Sequence, residues 1–427
     1  DFVREGAEPA EGPQLRVSGD VSASYFGVVD LGPETLDIHI SQIRSRIHVT
    51  GIADGNLSYH HDLAGRLDVG PSLDARQGRD ARPYYRIRDL RLRYATSDWA
   101  AHQRPAGAFV AEVGRLRSPG VAGTGLVDGA GGRVSLGQGV SLGVHGGLAP
   151  DLLDTGFSAD LGVAGAHLGW RMAGEEWTAA ASLSSVATAW RGDFNRLDVG
   201  ASFDLAWGRL LDLRASAVAT YTGYSTPGTP ADLVLSSAYL GVRSRPLRWF
   251  TLNAHYAHYQ DVYDRELRDA LGEDAIIGGP RESGWLQLRF DPHALVAVTT
   301  SAYVGFGAES AEHLGASGRI VIRGIPIIDG RVTGSYRFSR SRAVDAQVAA
   351  AHFSSALGGS IELGLGYAFT TFRSRLLDER QDEHRADVSL DLLIAGPWRA
   401  HLSAGAAFGD LDPAITTAAH LSWSFDE

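Results

Sequence analysis

The sequence predicts an all-β fold, a single transmembrane, antiparallel, up-and-down β-barrel of about 22 strands within a range of 18–22. Apolar and polar residues alternate with a period of two along most of the chain. The alternating runs are about 9–15 residues long, whereas soluble strands usually have about 5–6 residues and membrane strands about 9–11. Tight connections also alternate with longer ones.

The period of two is clearest in residues 328–338, where the even positions are apolar or glycine and most odd positions are polar. Alternation of this kind predicts a strand with one apolar and one polar face. The phase breaks within residues 36–52 and again within residues 85–94. One extra residue in a strand would restore each phase, so we expect β-bulges near residues 41–42 and at Asp89.

The connections suggest how the strands cross the membrane. On a layout of 22 strands from Leu15 to Phe425, the long connections fall at odd positions and the tight ones at even positions. Bacterial outer-membrane barrels alternate short periplasmic turns with longer external loops, which places both chain ends in the periplasm. The tight connections are 137–138, 245–246, 291–293, 324–326 and 396–397, and the long ones are 70–82, 117–128, 264–280 and 373–384.

This layout defines three segments. Residues 1–14 form a periplasmic N-terminal arm, residues 15–425 the barrel, and residues 426–427 a C-terminal extension. The segment 97–107 is an unusually loose connection for the periplasmic side. We expect 264–280 or 70–82 to be the only loops long enough to narrow the lumen.

Composition excludes several classes of protein. No run approaches the roughly 20 apolar residues that a membrane helix needs. The chain has no cysteine, which excludes disulfides, cysteine-ligated metals and covalent haem attachment. Its net charge of −11 argues against a nucleic-acid partner, and all of its Lys+Arg total is arginine.

The end of the chain carries a specific pattern. Residues 415–425 alternate cleanly and place Leu421, Trp423 and Phe425 on the apolar phase. This strand resembles the C-terminal assembly signal of outer-membrane proteins, although Phe425 is followed by two acidic residues. The resemblance implies recognition by the barrel-assembly machinery in a Gram-negative bacterium.

The phase opposite the apolar one predicts the lining of a lumen. Charges buried in a closed core would be costly, so many inward charges indicate a wet interior. Both signs are present, and the arginines of residues 86–93 could form a ladder that attracts anions or simply pair with acids. The pore-lining candidates are Arg44, Arg46, Asp62, Arg66, Asp68, Arg86, Arg88, Arg319, Arg323, Arg331, Arg337, Asp387 and Asp391.

Catalytic and metal-binding patterns are weak. His60 and His61 are adjacent, so on a strand they point to opposite faces and cannot share a metal ion. Gly123-Thr124-Gly125 lacks the context of a dinucleotide fingerprint. The sequence therefore predicts a protein that is not an enzyme, with no catalytic residues, metal or cofactor.

Two functions remain open. Residues 113–117 and 125–129 resemble the Gly-Arg … Asp-Gly region of large substrate-selective porins, which implies passive passage of hydrophilic solutes. The alternative is a sheath or anchor subunit that encloses a partner protein, a secreted polymer or an electron carrier. Either barrel would contact outer-membrane lipid and lipopolysaccharide, and a partner could fill the lumen or bind on the periplasmic side.

The phase assignment makes a testable prediction at two neighbouring residues. Leu390→Arg places a charge on the lipid-facing phase and should lower the free energy of unfolding by about 2–4 kcal/mol near the membrane midplane. Ser389→Arg faces the lumen and should be mild by comparison. Unfolding of both variants by denaturant in lipid vesicles measures the difference, and equal tolerance would contradict the assignment.

Overall fold

In the computed structural model, 22 antiparallel strands form one sheet that closes on itself. The structure describes residues 15–31, 38–69, 84–100, 104–117, 126–150, 157–222, 233–260, 262, 280–307, 313–325 and 330–426. The predicted fold class and strand number are confirmed. The arm 1–14 and the long connections 70–82 and 264–279 lie outside the described residues.

Each strand pairs with its neighbours along the chain. A short 3-10 helix, Ser97–Ala100, lies between the fourth and fifth strands. The strands are β1 Arg16–Asp30, β2 Ile38–Ile52, β3 Leu57–Val69, β4 Tyr84–Ala95, β5 Phe109–Arg117, β6 Leu126–Gly137, β7 Val140–Leu148, β8 Leu161–Ala173, β9 Trp177–Trp190, β10 Asp193–Trp207, β11 Leu211–Thr222, β12 Leu233–Leu247, β13 Phe250–Gln260, β14 Pro280–His293, β15 Val296–Gly307, β16 His313–Ile325, β17 Gly330–Arg340, β18 Val344–Ala356, β19 Ile361–Ser374, β20 Arg380–Ala395, β21 Trp398–Gly409 and β22 Ala414–Asp426.

Among the described residues, no helix is long and apolar enough to span a membrane.

The first and last strands close the sheet. β1 pairs with β22 from Ser18–Asp426 to Asp30–Ala414, and its other edge pairs with β2. The Arg16 guanidinium also bonds the Asp426 carboxylate, with Nε and Oδ1 2.7 Å apart. Closure leaves no free sheet edge, as backbone N–H and C=O groups in hydrocarbon require.

The sheet has two chemically distinct faces. The pairings Asp20–Arg46 and Arg46–Asp62 place these residues on one side, here called the polar face. The opposite side, here called the apolar face, carries large aliphatic side chains that are more than half exposed, such as Ile43 and Leu183. A side exposing this much apolar surface is suited to lipid rather than to water.

Aromatic side chains on the apolar face gather near both ends of the strands. Such girdles mark the two membrane interfaces of outer-membrane barrels. One end carries Tyr94, Phe109, Trp170, Trp177, Trp207, Phe250, Phe290, Trp398, Trp423 and Phe425, and the other carries Tyr25, Phe194, Tyr221, Phe338, Tyr367, Phe369 and Phe408.

The two rims of the barrel differ in their connections. The terminal rim holds Arg16, Asp426 and the connections after even-numbered strands, and the loop rim holds the connections after odd-numbered strands. The predicted alternation has exceptions at both rims, among them the short connection 341–343 at the loop rim. Residues 191–192 form a tight turn at the loop rim, with positive φ at Arg191 (51°) and Gly192 (91°), and residues 96–108 form a long connection at the terminal rim.

The expectation of a long loop over residues 373–384 is wrong. β19 continues to Ser374 and β20 begins at Arg380, so only five residues, 375–379, connect them. Arg373 bonds Asp378 at 2.7 Å, and Arg380 bonds Asp382 at 3.0 Å. The polar residues that suggested a loop therefore extend the hairpin with ion pairs.

One of the two predicted bulges is confirmed and one is wrong. Asp62 pairs with Asp89 and Leu63 pairs with Ile87, so Arg88 is the extra residue of a bulge. β2 instead pairs without interruption through residues 41–42. The phase breaks there because Ile40 lies on the polar face opposite Phe26, where two apolar side chains meet near the loop rim.

The C-terminal strand lies at the closure. Leu421, Trp423 and Phe425 share the apolar face, and the Trp423 ring packs on Trp398 (centroids 6.0 Å apart) and on Phe425 (4.7 Å apart). Phe425 lies opposite Gly19 of β1. Two of the residues predicted as the assembly signal, Trp423 and Phe425, therefore form an aromatic cluster with Trp398 where β22 pairs with β1.

Gly19 offers a test of this closure. A Cβ atom at Gly19 would collide with the backbone oxygen of Arg46 and approach the Phe425 ring to 3.0 Å. Gly19→Ala should therefore destabilise the barrel by about 1–3 kcal/mol, measured by denaturant unfolding in lipid vesicles.

Gly318→Ala is the matched control, because a Cβ atom at this strand position meets nothing within 4 Å. We expect the control to be neutral or more stable by about 0.4–1 kcal/mol. Equal stability of the two variants would show that the approach of β1 to β2 and β22 is looser than described.

Candidate functional site

The backbone register determines where the predicted lining residues lie. Following the pairs from β1 around to β22 places these residues on the polar face, apart from Arg88 at the bulge. They do not converge on one point. They are spread over separate sectors of the face, and the sectors differ in how their charges are paired.

The sector from β1 to β3 pairs its charges. Arg46 lies 2.8 Å from Asp20, and Arg44 donates to Asp62 with both Nε (2.8 Å) and its terminal nitrogen. Each arginine and its acid lie on adjacent strands, so these hydrogen bonds link the side chains of β1, β2 and β3. Arg66 and Asp68 follow Asp62 on the same face, and Arg86 lies opposite Ala64.

The arginines of β4 also have acidic neighbours. Arg91 lies 3.3 Å from both Asp89 and Glu112, and Arg93 lies 3.5 Å from Glu112. Sequence reasoning considered pairing for this stretch but did not identify Glu112. The residue is recognisable only once β5 is placed beside β4.

Arg115 and Asp128 form a buried ion pair between β5 and β6. Arg115 is 2% exposed and donates to both carboxylate oxygens of Asp128 at 2.6 Å. It also donates to the Ile87 carbonyl oxygen at 2.8 Å, where the pairing of β4 with β5 ends. Breaking a buried pair of this kind typically costs about 3–5 kcal/mol, so its geometry indicates a structural role in the wall.

The sector formed by β16 and β17 is different. Arg319, Arg323, Arg331 and Arg337 are exposed on the polar face. Within the described part of the chain, none of them forms an ion pair. Four unpaired guanidinium groups on one face are stable only in water, because desolvating an unpaired charge is very costly.

Two of the acidic candidates, Asp387 and Asp391, lie on β20. Asp391 contacts the imidazole of His401, with Oδ1 and Nδ1 2.8 Å apart. Asp387 is placed opposite Gly366 and Gly405, whose missing side chains leave room for its carboxylate. The polar face therefore carries a basic sector on β16 and β17 and an acidic one on β20.

Between β6 and β9 the polar face is closely packed. His145 lies over Gly165, and His167 lies over Gly143, because each histidine is paired across the strands with a glycine. Both histidines are buried, at 6% and 7% exposure. A Cβ atom at either glycine would overlap the imidazole, so these glycines allow large side chains to lie flat against the wall.

The adjacent His60 and His61 of β3 point to opposite faces, as their spacing predicts. The His60 ring stacks on His48 with centroids 3.8 Å apart, whereas His61 contacts Tyr59 and Ser45 on the other face. Among the described residues, no group of three or more acidic or histidine side chains could hold a metal ion.

Trp99 and residues 104–108, within the connection from β4 to β5, are packed against the polar face at the terminal rim. Trp99 is 5% exposed and packs with Ala108 and Val110, and Val110 is paired with Arg133. The Arg104 guanidinium lies 4.3 Å above the Trp99 ring, and its Nε donates to the Trp99 carbonyl oxygen at 2.7 Å. Burial lowers the pKa of Arg104, and the neighbouring Arg171 and Arg93 lower that pKa further.

Sequence reasoning missed this element. It noted the loose connection but expected only longer loops to be able to fold inward. The usable signal was Trp99 itself, a large aromatic residue in a connection at a rim where other turns are short.

No protein-family model matches the chain, and no curated protein matches its sequence. Among solved structures, the translocation pore of the P pilus usher PapC is 12% identical with a TM-score of 0.56, over 95% of this chain and 99% of that one.

Two further solved structures are also similar, at lower scores. OccAB4 of Acinetobacter baumannii is 8% identical with a TM-score of 0.47, over 98% of this chain and 100% of that one. OccK8 (OprE) of Pseudomonas aeruginosa is 10% identical with a TM-score of 0.45, over 96% and 98%. The similarity to the usher pore establishes the fold alone: this chain folds as an outer-membrane β-barrel.

Proposed function

We propose that the chain is a porin-like channel of the outer membrane, through which small hydrophilic solutes pass without a chemical step. The observation that carries the proposal is the exposed, unpaired arginine sector of β16 and β17. Charges of this kind need water, and a closed barrel offers water on its polar face only if the lumen is wet. A barrel of about 20 strands is wide enough to hold an aqueous channel.

In this function the polar face lines the lumen and the apolar face contacts lipid. The lining then comprises the candidates from Arg44 to Asp391 other than Arg88, together with Glu112 and Asp89. The paired arginines of β1 to β5 stiffen the wall, while the unpaired ones of β16 and β17 set the local potential. We assign the terminal rim to the periplasm, because short turns face the periplasm in bacterial barrels.

Recordings in planar bilayers test the proposal. The purified barrel should give large, steady single-channel conductance. Silence of the folded protein, or a stoichiometric partner that abolishes conductance on co-purification, would contradict it. The second result would favour the sheath function instead.

Charge removal tests the lining itself. The double variant Arg319→Gln, Arg337→Gln removes two positive charges from the proposed lumen. In a KCl gradient its reversal potential should shift toward the equilibrium potential of potassium. The control is Arg340→Gln with Arg380→Gln, which removes the same charge from the apolar face at the loop rim. Equal reversal potentials for the two double variants would remove β16 and β17 from the lining.

A further inference from the structure

We propose that Arg104 and Arg133, which lie over the Trp99 ring, form together with their electrostatic neighbours Arg93 and Arg171 a binding site for a small oxyanion, either a phosphate or a carboxylate. This group is here called the Trp99 cluster. It lies on the polar face near the terminal rim, away from the unpaired arginines of β16 and β17. The proposal depends on local contacts and does not require that the barrel conducts ions.

The cluster is held in place before any ligand arrives. Ser135 of β6 accepts a hydrogen bond from Gly107 N at 2.8 Å and donates its own N–H to Ala108 O at 2.8 Å. Its hydroxyl donates to the Arg104 carbonyl oxygen at 3.3 Å. Gly107 and Ala108 therefore extend the pairing of β5 with β6. The Arg104 guanidinium is held above the Trp99 ring rather than free in solvent.

The charge at this place is not balanced. Arg104 interacts electrostatically with Arg171 and Arg93, and Arg133 with Arg104 and Arg93. Arg133 interacts electrostatically with the carboxylate of Glu112. Oε1 of that carboxylate already lies 3.3 Å from an Arg91 nitrogen and 3.5 Å from Nε of Arg93. In the part of the chain that the structure describes, no carboxylate forms an ion pair with Arg104, Arg133 or Arg171.

Arg133 supplies a second, independent observation. Its Nε is fully buried and has no hydrogen-bond partner, while its guanidinium lies 6.0 Å from the Trp99 ring centre. Leaving a buried donor unsatisfied costs about 1–3 kcal/mol, and more when the donor is charged. An anion bound beside Arg133 could both accept this hydrogen bond and reduce the repulsion among the four guanidinium groups.

The donor set indicates the class of ligand. A guanidinium presents parallel N–H donors whose spacing matches the two oxygens of a carboxylate or phosphate. Chloride offers a single acceptor centre, so it cannot place a separate acceptor atom opposite each of the two parallel N–H donors. The cluster is therefore built for a small oxyanion, in a position that a solute on the polar face would meet beside the terminal rim.

Calorimetric titration of the full-length barrel in detergent tests the site, with inorganic phosphate and acetate as separate probes. Sodium chloride keeps the ionic strength constant. Wild-type protein should bind at least one probe saturably at a single site. Arg133→Gln and Arg104→Gln should each weaken this binding at least tenfold, whereas Arg331→Gln, an exposed arginine of the polar face, should leave it unchanged.

Saturable binding of phosphate, of acetate or of both supports the site and identifies its ligand class. Absence of saturable binding of either probe by folded wild-type protein overturns the proposal, as does equal binding by wild type and the folded Arg133→Gln and Arg104→Gln variants. Heat-modifiable gel migration verifies folding, and Arg171→Gln replaces any variant that fails to fold. Bilayer recordings on the same preparation show separately whether the channel function holds.

Discussion

Closure of the sheet is the constraint on which the rest of this structure depends. A strand edge exposed to hydrocarbon leaves backbone N–H and C=O groups without partners, at a cost of several kcal/mol for each group. β1 and β22 remove that cost by pairing along thirteen residues, from Ser18–Asp426 to Asp30–Ala414. Because the side-chain period is two, this closure also fixes which face every residue occupies. The division into a polar and an apolar face is therefore a consequence of one continuous register.

Much of this fold could be predicted because alternation is local information. β17 shows its two faces within eleven residues, and the tight turn at 138–139 is visible as glycine flanked by strand patterns. The errors arose where a local pattern had two physical readings. Ile40 breaks the alternation because it lies on the polar face opposite Phe26 of the neighbouring strand β1. Residues 373–384 resemble a loop because their arginines and aspartates form ion pairs at the end of a hairpin.

The candidate site was less predictable because it depends on which strands become neighbours. The sequence indicated that Arg44, Arg319 and Asp391 share a face, since phase alone decides that. It could not distinguish Arg44, which is paired with Asp62, from Arg319, which is unpaired, because the difference lies in the residues opposite. Trp99 and Arg133 are 34 positions apart in sequence and meet only through the pairing of β5 with β6.

The arginines of the polar face have one further consequence. A guanidinium keeps its proton throughout the pH range in which proteins function, whereas carboxylates and imidazoles titrate within or near it. In a lumen lined this way, alkaline surroundings leave the positive sectors unchanged. A passage lined by lysine would lose positive charge at high pH, and such a lumen avoids that loss because its fixed cations include no lysine.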